Sequence, residues 1–381
     1  MIPIGFGQRE LILGDRMTGK TTIGTDTIIN QKHTGVKCIY CCIGKAHSAL
    51  GRVVQLFLDN DCFKYTTIVA ATAIAPAGQL YLAPYVACAI GEFFMRRGED
   101  VLIVMDDFTK HAWAYREISL LLERAPGRDS YPGDIFYLHS KLVERAAYLA
   151  KKYGGGSMTH LPIVETLEGD LTGYVQSNLV SMTDGQIMVN ASLFGEGQRP
   201  AVDLGLSVSR VGSKVQWPIV KKFSGPLRLE YLQYREVLRV SRLKTGAQTD
   251  DAEKQMKSGE ILTELIKQPP GEPVPMESLA IILYAYSKMV LHEMTIAELN
   301  VFQKDVYGYF KKHDPDWMKQ LREKRNMDDE MKKRCDEILD QYLKEIIAKR
   351  PKEDTDDDDD DNKGDANVGK DVLDGATSKK E

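Results

Sequence analysis

The chain has 381 residues, enough for two domains, and 43% of them are hydrophobic, which is sufficient for sizeable cores. Its net charge of −5 is concentrated at one end, since residues 352–381 carry 12 acids and 5 lysines. The remainder, with 43 acids and 45 bases, is almost neutral, which argues against a nucleic-acid-binding face. No apolar run reaches membrane-spanning length, so we expect no direct membrane span.

The first motif in chain order is a glycine-bearing loop in LILGDRMTGKTTIGTDTI, residues 11–28. It matches G-x-x-x-x-G-K-[ST], and it has the preceding apolar run and following helix-like stretch that a phosphate-binding loop needs. Backbone N–H groups and a helix N-terminus then face an anion. Lys20 would reach the β- and γ-phosphates, and the Thr21 hydroxyl would complete a Mg²⁺ shell. The predicted nucleotide-binding positions here are Gly14, Asp15, Arg16, Met17, Thr18, Gly19, Lys20 and Thr21.

Short strands and helices alternate over roughly the first 215 residues. The β-rich runs VKCIYCCIG, YTTIVAAT, DVLIVMDD and QIMVNASL predict strands. Between them, apolar residues recur at helical spacing in SALGRVVQLFLDND, LAPYVACAIGEFFMRRGE and LHSKLVERAAYLAKKYGGG. This alternation predicts an α/β domain with a largely parallel, buried sheet.

Three cysteines form a C-x-x-C-C cluster in the first of these strands: Cys38, Cys41 and Cys42. The run around them is apolar and no matching second pair follows, so we expect buried thiols rather than zinc ligands. Six cysteines in a chain of this length do not indicate a disulfide scaffold.

A second nucleotide motif is the strand VLIVMDDF, which ends in acid. A carboxylate at the C-terminal edge of such a strand lies beside the phosphate loop, where it can hold Mg²⁺ through water. Asp106 is therefore the candidate metal-side residue together with Thr21, and Asp107 belongs to the same turn.

Past about Trp217 the strands stop and successive amphipathic helices are predicted, through the long run that ends at Lys349. The sequence thus predicts a nucleotide-binding domain over 1–216, an all-α domain over 217–350 and a disordered acidic tail over 351–381. Six consecutive aspartates at 356–361 favour a solvated end over an interaction arm.

Several segments together resemble the α subunit of the F-type ATP synthase: GQRELILGDRMTGKT, APYVACAIGEFF, LLLERAPGRDSYPGDIFYLHSKLVERAA, SMTDGQI and GLSVSRVGS. The resemblance runs from residue 1 to about residue 295 and then weakens. Many ATPases share the phosphate loop, but the catalytic β subunit carries different motifs at the other places. The resemblance implies a RecA-like P-loop domain that holds ATP or ADP with Mg²⁺.

The resemblance also implies that the chain is non-catalytic by itself. Catalytic subunits of the family have a water-activating carboxylate where this chain has Lys45, and the α family usually has glutamine there. An ammonium has no lone pair to accept a proton, and we expect a solvated or phosphate-facing lysine. Arg210, in SVSRVGS, matches the arginine that α presents in trans to the neighbouring β site, and Ser181 lies in a segment placed at that same interface.

On the base side, Phe194, Arg199 and Gln268 match family positions around adenine. Four positions depart from the family pattern: Phe6 replaces arginine, Met17 and Pro270 replace glutamines, and Lys45 adds charge. Met17 and Pro270 each remove hydrogen-bonding capacity, which puts nucleotide affinity and base preference in question.

As partners, the resemblance implies β subunits in a hetero-hexameric ring and a central γ stalk, with no nucleic acid. The family's N-terminal β-barrel is missing from this sequence, so we expect either a companion N-terminal α fragment or a truncated sequence. The divergent C-terminal end favours the matrix side of the mitochondrial inner membrane, as a peripheral complex, over a bacterial or plastid membrane.

Two other functions stay open at this stage. The departures at Met17, Lys45 and Pro270 are compatible with a nucleotide-free α paralogue kept as a scaffold. A separate RecA-like nucleic-acid motor would need a basic channel and a carboxylate base, and the sequence shows neither.

Overall fold

The computed structural model describes residues 2–243 and 250–348. This part of the chain forms an eight-stranded sheet and a set of helices that continues beyond it. The strands are β1 Leu11–Gly14, β2 Lys37–Ile43, β3 Thr66–Ala71, β4 Asp100–Asp106, β5 Ala147–Tyr148, β6 Ser157–Glu165, β7 Gly185–Val189 and β8 Val208–Ser209. The helices of the sheet region are α1 Lys20–Ile29, α2 His47–Asp59, α3 Ala77–Met95, α4 Phe108–Leu121, α5 Ile135–Val143, α6 Tyr174–Met182 and α7 Ala191–Gly195.

The sheet has the order β3-β2-β4-β6-β1-β7-β8, and β5 pairs with β6 outside this path. Every pairing is parallel except β5 with β6 and β7 with β8. Because successive side chains of a strand point to opposite faces, Leu11 and Leu13 join one core and Ile12 joins another. Both faces of the sheet are therefore covered, and the predicted largely parallel α/β architecture is confirmed.

The second half of the described chain is helical. Its helices are α8 Pro218–Leu243, α9 Asp250–Leu265, α10 Met276–Ser287, α11 Ile296–His313, α12 Pro315–Lys324 and α13 Asp329–Ala348. One apolar cluster joins them, and α10 is almost wholly buried within it. The predicted helical region after the sheet is confirmed, while the acidic tail over 351–381 lies outside the described residues.

Two details of the predicted elements are wrong. The run LHSKLVERAAYLAKKYGGG is not one helix, because α5 ends at Val143 and Ala147 then pairs with Met158 of β6. In QIMVNASL the strand ends at Val189, since the Asn190 side chain caps the short helix α7.

The predicted burial of Cys38, Cys41 and Cys42 is confirmed. All six cysteines in the described residues are buried free thiols, and that part of the chain holds no cluster of side chains able to bind a metal through His, Cys, Asp and Glu alone. Within the same ranges, no helix is both long and apolar enough to cross a membrane.

Candidate nucleotide-binding site

A cavity of about 820 Å³ opens where the loop after β1, the end of β4 and the helices α9 and α10 meet. This volume is within the range of sites for small molecules and cofactors. The predicted site residues that line it are Met17, Thr18, Gly19, Lys20, Thr21, Asp106, Phe194, Arg199 and Gln268. Two motifs and the base-side positions, far apart in sequence, are thus brought to one place. Gly14, Asp15 and Arg16 belong to the same loop without lining the cavity.

The phosphate-binding loop begins at the end of β1, which is a fully buried strand. β1 lies between β6 and β7, and a Cβ on Gly14 would lie 2.3 Å from the carbonyl oxygen of Val189. Only glycine allows the chain to pass so close to its neighbour. Asp15, the first loop residue, is fixed by its side chain. Its Oδ1 accepts hydrogen bonds from the Thr166 hydroxyl at 2.7 Å and from the Gly169 N–H at 2.9 Å.

Lys20 opens helix α1 and is folded back onto the loop. Gly19, just before it, has a left-handed φ of 96°. The Lys20 ammonium donates to the carbonyl oxygen of Asp15 at 2.5 Å, and its burial lowers the pKa of the ammonium. The charge of Lys20 therefore faces the end of the cavity where a helix N-terminus also favours an anion. Met17 protrudes at the tip with 92% of its surface exposed.

The most compact polar cluster surrounds Asp106 at the end of β4. Its Oδ2 accepts hydrogen bonds from the Thr21 hydroxyl at 2.7 Å and from the Tyr40 hydroxyl at 2.9 Å. Lys45 Nζ lies 2.5 Å from the same oxygen and donates to Thr21 Oγ1 at 2.6 Å. The Asp106 side chain is 1% exposed and that of Lys45 is 21% exposed. Lys45, which also lines the cavity, thus forms an ion pair with a buried carboxylate that the sequence did not predict.

This cluster bears directly on the predicted metal site. In P-loop proteins, a loop hydroxyl and a strand-end aspartate hold Mg²⁺. Thr21 and Asp106 are brought together as that prediction requires, but the Lys45 ammonium already contacts both oxygens. Mg²⁺ needs oxygen ligands at about 2.0–2.1 Å in a near-octahedral shell. The residues present, with Lys45 in this position, do not fit that ion.

Besides Asp106, four carboxylates line the cavity: Asp26, Asp107, Glu165 and Glu272. The two that lie at strand ends each have a structural partner. Asp107, joined to Asp106 by a cis peptide bond, caps α4 by accepting from the Lys110 N–H at 2.8 Å. Burial raises the pKa of Asp107 to about 7. Glu165, at the end of β6, accepts from Arg16 Nε at 3.0 Å.

The base side of the cavity is built from both halves of the chain. The Arg199 guanidinium lies over the Phe194 ring, 4.8 Å from its centroid, and the Arg199 carbonyl accepts from the Gln268 N–H at 2.7 Å. Pro270 also lines the cavity and has no N–H to offer. The following residue, Gly271, donates to the Asp26 side chain of α1 at 3.1 Å, which ties the α9–α10 connection to the phosphate helix.

Arg210 and Ser181 lie away from this cavity. Ser209 of β8 pairs with Gly185, the first residue of β7, so Arg210 lies at the amino edge of the parallel strands. Its N–H donates to the Asp184 carbonyl at 2.7 Å, and its side chain is exposed. Ser181, exposed in the last turn of α6, is three residues before Asp184 and belongs to the same edge. The phosphate loop follows the carboxyl edge of β1, on the opposite side of the sheet.

The fold and this site define the class of the protein: a P-loop nucleotide-binding α/β domain followed by a helical domain. Residues 1–209 match the model of the ATP synthase alpha/beta family, nucleotide-binding domain, and residues 216–342 match that of the ATP synthase alpha/beta chain, C terminal domain. The chain belongs to this family and, within it, to the F-type α subunits.

Curated relatives support this placement. The chain is 48% identical over 349 residues to ATP synthase subunit alpha of Clostridium acetobutylicum, and the match covers 91% of this chain and 69% of the relative. It is 45% identical over 348 residues to ATP synthase subunit alpha of Aquifex aeolicus, with the same coverage of each. The similarity to the α subunit predicted from the sequence is confirmed.

Sequence reasoning missed the Tyr40 contact with Asp106. Tyr40 lies in β2, paired with β4 in a register that sets it two residues before the partner of Asp106. Its hydroxyl reaches across from the neighbouring strand, so only the strand order could have revealed the contact. A tyrosine among the cysteines and isoleucines of β2 was the available signal, because a buried hydroxyl needs a partner.

Proposed function

We propose that this chain is a non-catalytic, nucleotide-binding α-type subunit of a proton-transporting F-type ATP synthase. It holds ATP or ADP in the cavity described above. It assembles with β subunits in a hetero-hexameric ring around a γ stalk, as the resemblance to ATP synthase α subunits implies. The companion N-terminal fragment stays a prediction.

The observation that carries the non-catalytic part is the position of the Lys45 side chain. A hydrolytic site needs a group that accepts a proton from water, and the family's position for that group holds an ammonium. Its Nζ lies 2.5 Å from Asp106 Oδ2, so the lysine forms an ion pair with a buried carboxylate. Glu165 is paired with Arg16, and Asp107 caps α4, so each already has a structural role.

The catalytic contribution that we propose is made in trans by Arg210. Because this residue lies at the amino edge of the sheet, its own phosphate loop is out of reach across the strands. An exposed guanidinium at that edge can reach a neighbouring subunit, where a planar, permanently charged fork suits the oxygens of a phosphoryl group. Ser181 belongs to the same proposed interface.

For the location, we propose a peripheral membrane association through the complex. The relatives described above are bacterial, so they do not support the mitochondrial inner membrane expected from the divergent C-terminal end. The matrix side of that membrane stays a prediction beside the bacterial and plastid alternatives. The sequence also predicted Mg²⁺ at Thr21 and Asp106. The function proposed here includes nucleotide binding but not that ion.

The experiment that tests the nucleotide part uses the purified full-length chain. Calorimetric titration with ATP measures binding, and phosphate release measures turnover. We expect micromolar binding without phosphate release. Lys20→Ala removes a charged phosphate contact and weakens binding by about 10- to 100-fold. Lys64→Ala changes an exposed lysine that does not line the cavity and leaves binding unchanged.

The same measurement separates the alternatives. Phosphate release that Lys20→Ala abolishes would contradict the non-catalytic assignment. Absence of ATP binding would favour the nucleotide-free scaffold, in spite of the open cavity. Hydrolysis stimulated by single-stranded DNA would favour the nucleic-acid motor.

A further inference from the structure

The Lys45 ammonium occupies the place at which a P-loop protein holds its divalent cation. Three atoms form a triangle: Lys45 Nζ and Asp106 Oδ2 are 2.5 Å apart, Lys45 Nζ and Thr21 Oγ1 are 2.6 Å apart, and the two oxygens are 2.7 Å apart. Such short contacts leave no room for a second cation between the oxygens. A metal bound to the Thr21 hydroxyl would sit within the contact distance of a positive charge.

The backbone holds Lys45 in that position. The residue follows β2, where the N–H of Gly44 donates to the Ala71 carbonyl at 2.7 Å and the N–H of Ala73 donates to the Lys45 carbonyl at 2.9 Å. Both bonds join the turn after β2 to the end of the neighbouring strand β3. The side chain therefore starts from a fixed point beside the phosphate loop.

The carboxylate opposite also favours this arrangement. Asp106 is 1% exposed and, in the described part of the chain, its Oδ1 has no hydrogen-bond partner. If Lys45 turned away, the buried charge would keep only the neutral hydroxyls of Thr21 and Tyr40. Breaking one side of a buried ion pair is strongly unfavourable, so the lysine competes effectively with an ion that must also shed water.

We propose that this pocket binds its nucleotide in the metal-free form, with Lys45 taking the place of Mg²⁺ as the cation beside the phosphates. The ligand class is a nucleoside di- or triphosphate not complexed with a divalent ion. Lys20 and Lys45 then face the phosphate chain from two sides, and Asp106 and Thr21 fix the second ammonium. This inference rests on the proposed nucleotide binding and deepens it.

The experiment compares binding of ADP to the full-length chain in excess MgCl₂ and in EDTA. For the wild-type chain we expect a Kd in EDTA no weaker than in MgCl₂, because the ion is not part of the complex. Lys45→Gln exposes the Thr21 and Asp106 oxygens to the metal. In that variant we expect MgCl₂ to tighten ADP binding by about tenfold or more, as a restored charge-assisted contact would.

Two controls keep the result interpretable. Lys64→Gln removes an equal charge at an exposed site and should respond to MgCl₂ as the wild type does. Mn²⁺ in place of Mg²⁺ gives an independent readout by electron paramagnetic resonance: with ADP bound, Lys45→Gln should hold a stoichiometric Mn²⁺, and the wild type should hold none. Far-ultraviolet circular dichroism checks that each variant is folded, and Lys45→Met serves as the second neutral variant.

Wild-type binding that weakens about tenfold in EDTA would overturn the inference, because charge-assisted contacts of that size would then come from the metal. So would a Lys45→Gln chain whose response to MgCl₂ equals that of the wild type. Absence of ADP binding in both buffers would instead overturn the proposed nucleotide binding itself. The two failures are therefore distinguishable.

Discussion

Asp106 gathers three donors on one carboxylate oxygen, from the phosphate helix, from β2 and from the turn after β2. Each donor comes from a different element, so this one side chain fixes the relative positions of all three. In a catalytic P-loop site the same carboxylate acts through a metal. Here it forms an ion pair with the Lys45 ammonium of the same chain.

Glu10 is a buried carboxyl that lies outside the nucleotide site. It precedes β1 and is fully buried. Gln8 donates to its Oε2 at 2.7 Å, and its Oε1 has no partner among the described residues. Burial raises the pKa of Glu10 from 4.5 to about 8, with a smaller contribution from the Asp184 charge. The folded protein therefore binds a proton that the unfolded chain has already released at neutral pH.

The sign of the resulting pH dependence follows from that difference. A pKa raised by folding gives stability that is present below 4.5 and is lost as the pH rises through about 8. We expect Glu10→Gln, which cannot ionise, to remove this loss. Between pH 4.5 and about 8, the unfolding free energy of the wild type should fall relative to that of the variant as the pH rises. The change should be at most about 1.4 kcal/mol per pH unit.

Urea unfolding at a series of pH values from about 5 to 8 measures this difference. Glu117→Gln, on the exposed face of α4, is the matched control and should follow the wild type at every pH. Parallel curves for wild type and Glu10→Gln would show that Glu10 ionises normally in the folded state.

At the scale of elements, the local pattern of apolar residues predicted most of the strands. Apolar runs predicted β1, β2, β3, β4 and β7. The helices that alternate with these strands predicted that their sheet is largely parallel. β6 was not predicted, although it lies between β4 and β1, because His160 and Pro162 interrupt its apolar character. Both residues are tolerated there through tertiary packing, which a sequence pattern does not contain.

The site shows the same division. The phosphate loop and Asp106 carry local motifs, so their meeting at one edge of a parallel sheet was predictable. The Lys45 contact was not, because its side chain crosses between elements whose spacing depends on the whole sheet. The ion pair was missed for a physical reason: a single lysine after a strand is most often solvated.

The helices past Trp217 depend on a few large buried side chains. Trp317, in the first turn of α12, is fully buried: its ring centroid lies 5.1 Å from that of Phe310 in α11, and its Nε1–H donates to the Met331 carbonyl in α13 at 3.0 Å. One residue thus joins three helices. We expect Trp317→Phe to destabilise the helical region by about 2–4 kcal/mol, through a lost hydrogen bond and a cavity.

Trp113→Phe is the matched control for this prediction. Trp113 is 38% exposed on α4, with the Lys110 ammonium over its ring, and its replacement should cost less than about 1 kcal/mol. Urea unfolding followed by circular dichroism compares the two variants. Equal losses would contradict the role assigned to α12 as the joint between α11 and α13.

At the scale of the whole molecule, the candidate residues lie at two opposite edges of one sheet. The carboxyl edge faces a cavity that the helical region closes with Leu265, Ile282 and Tyr286, so both halves line the proposed nucleotide site. The amino edge presents Arg210 and Ser181 to the outside. Because β7 has five residues at about 3.3 Å each, these edges are roughly 15 Å apart. This separation is what the proposed function requires of a subunit that holds one nucleotide and contacts a neighbour's.

The proposal that this chain completes a neighbour's active site is tested by ATP hydrolysis in a complex reconstituted with β and γ subunits. With Arg210→Ala we expect turnover to fall by about 10³- to 10⁵-fold, since arginine fingers of related NTPases contribute that much. Arg210→Lys should recover little, because an ammonium lacks the planar fork. Arg239→Ala, at an exposed position of α8, should leave turnover unchanged. An assembled Arg210→Ala complex that hydrolyses ATP at the wild-type rate would contradict the account.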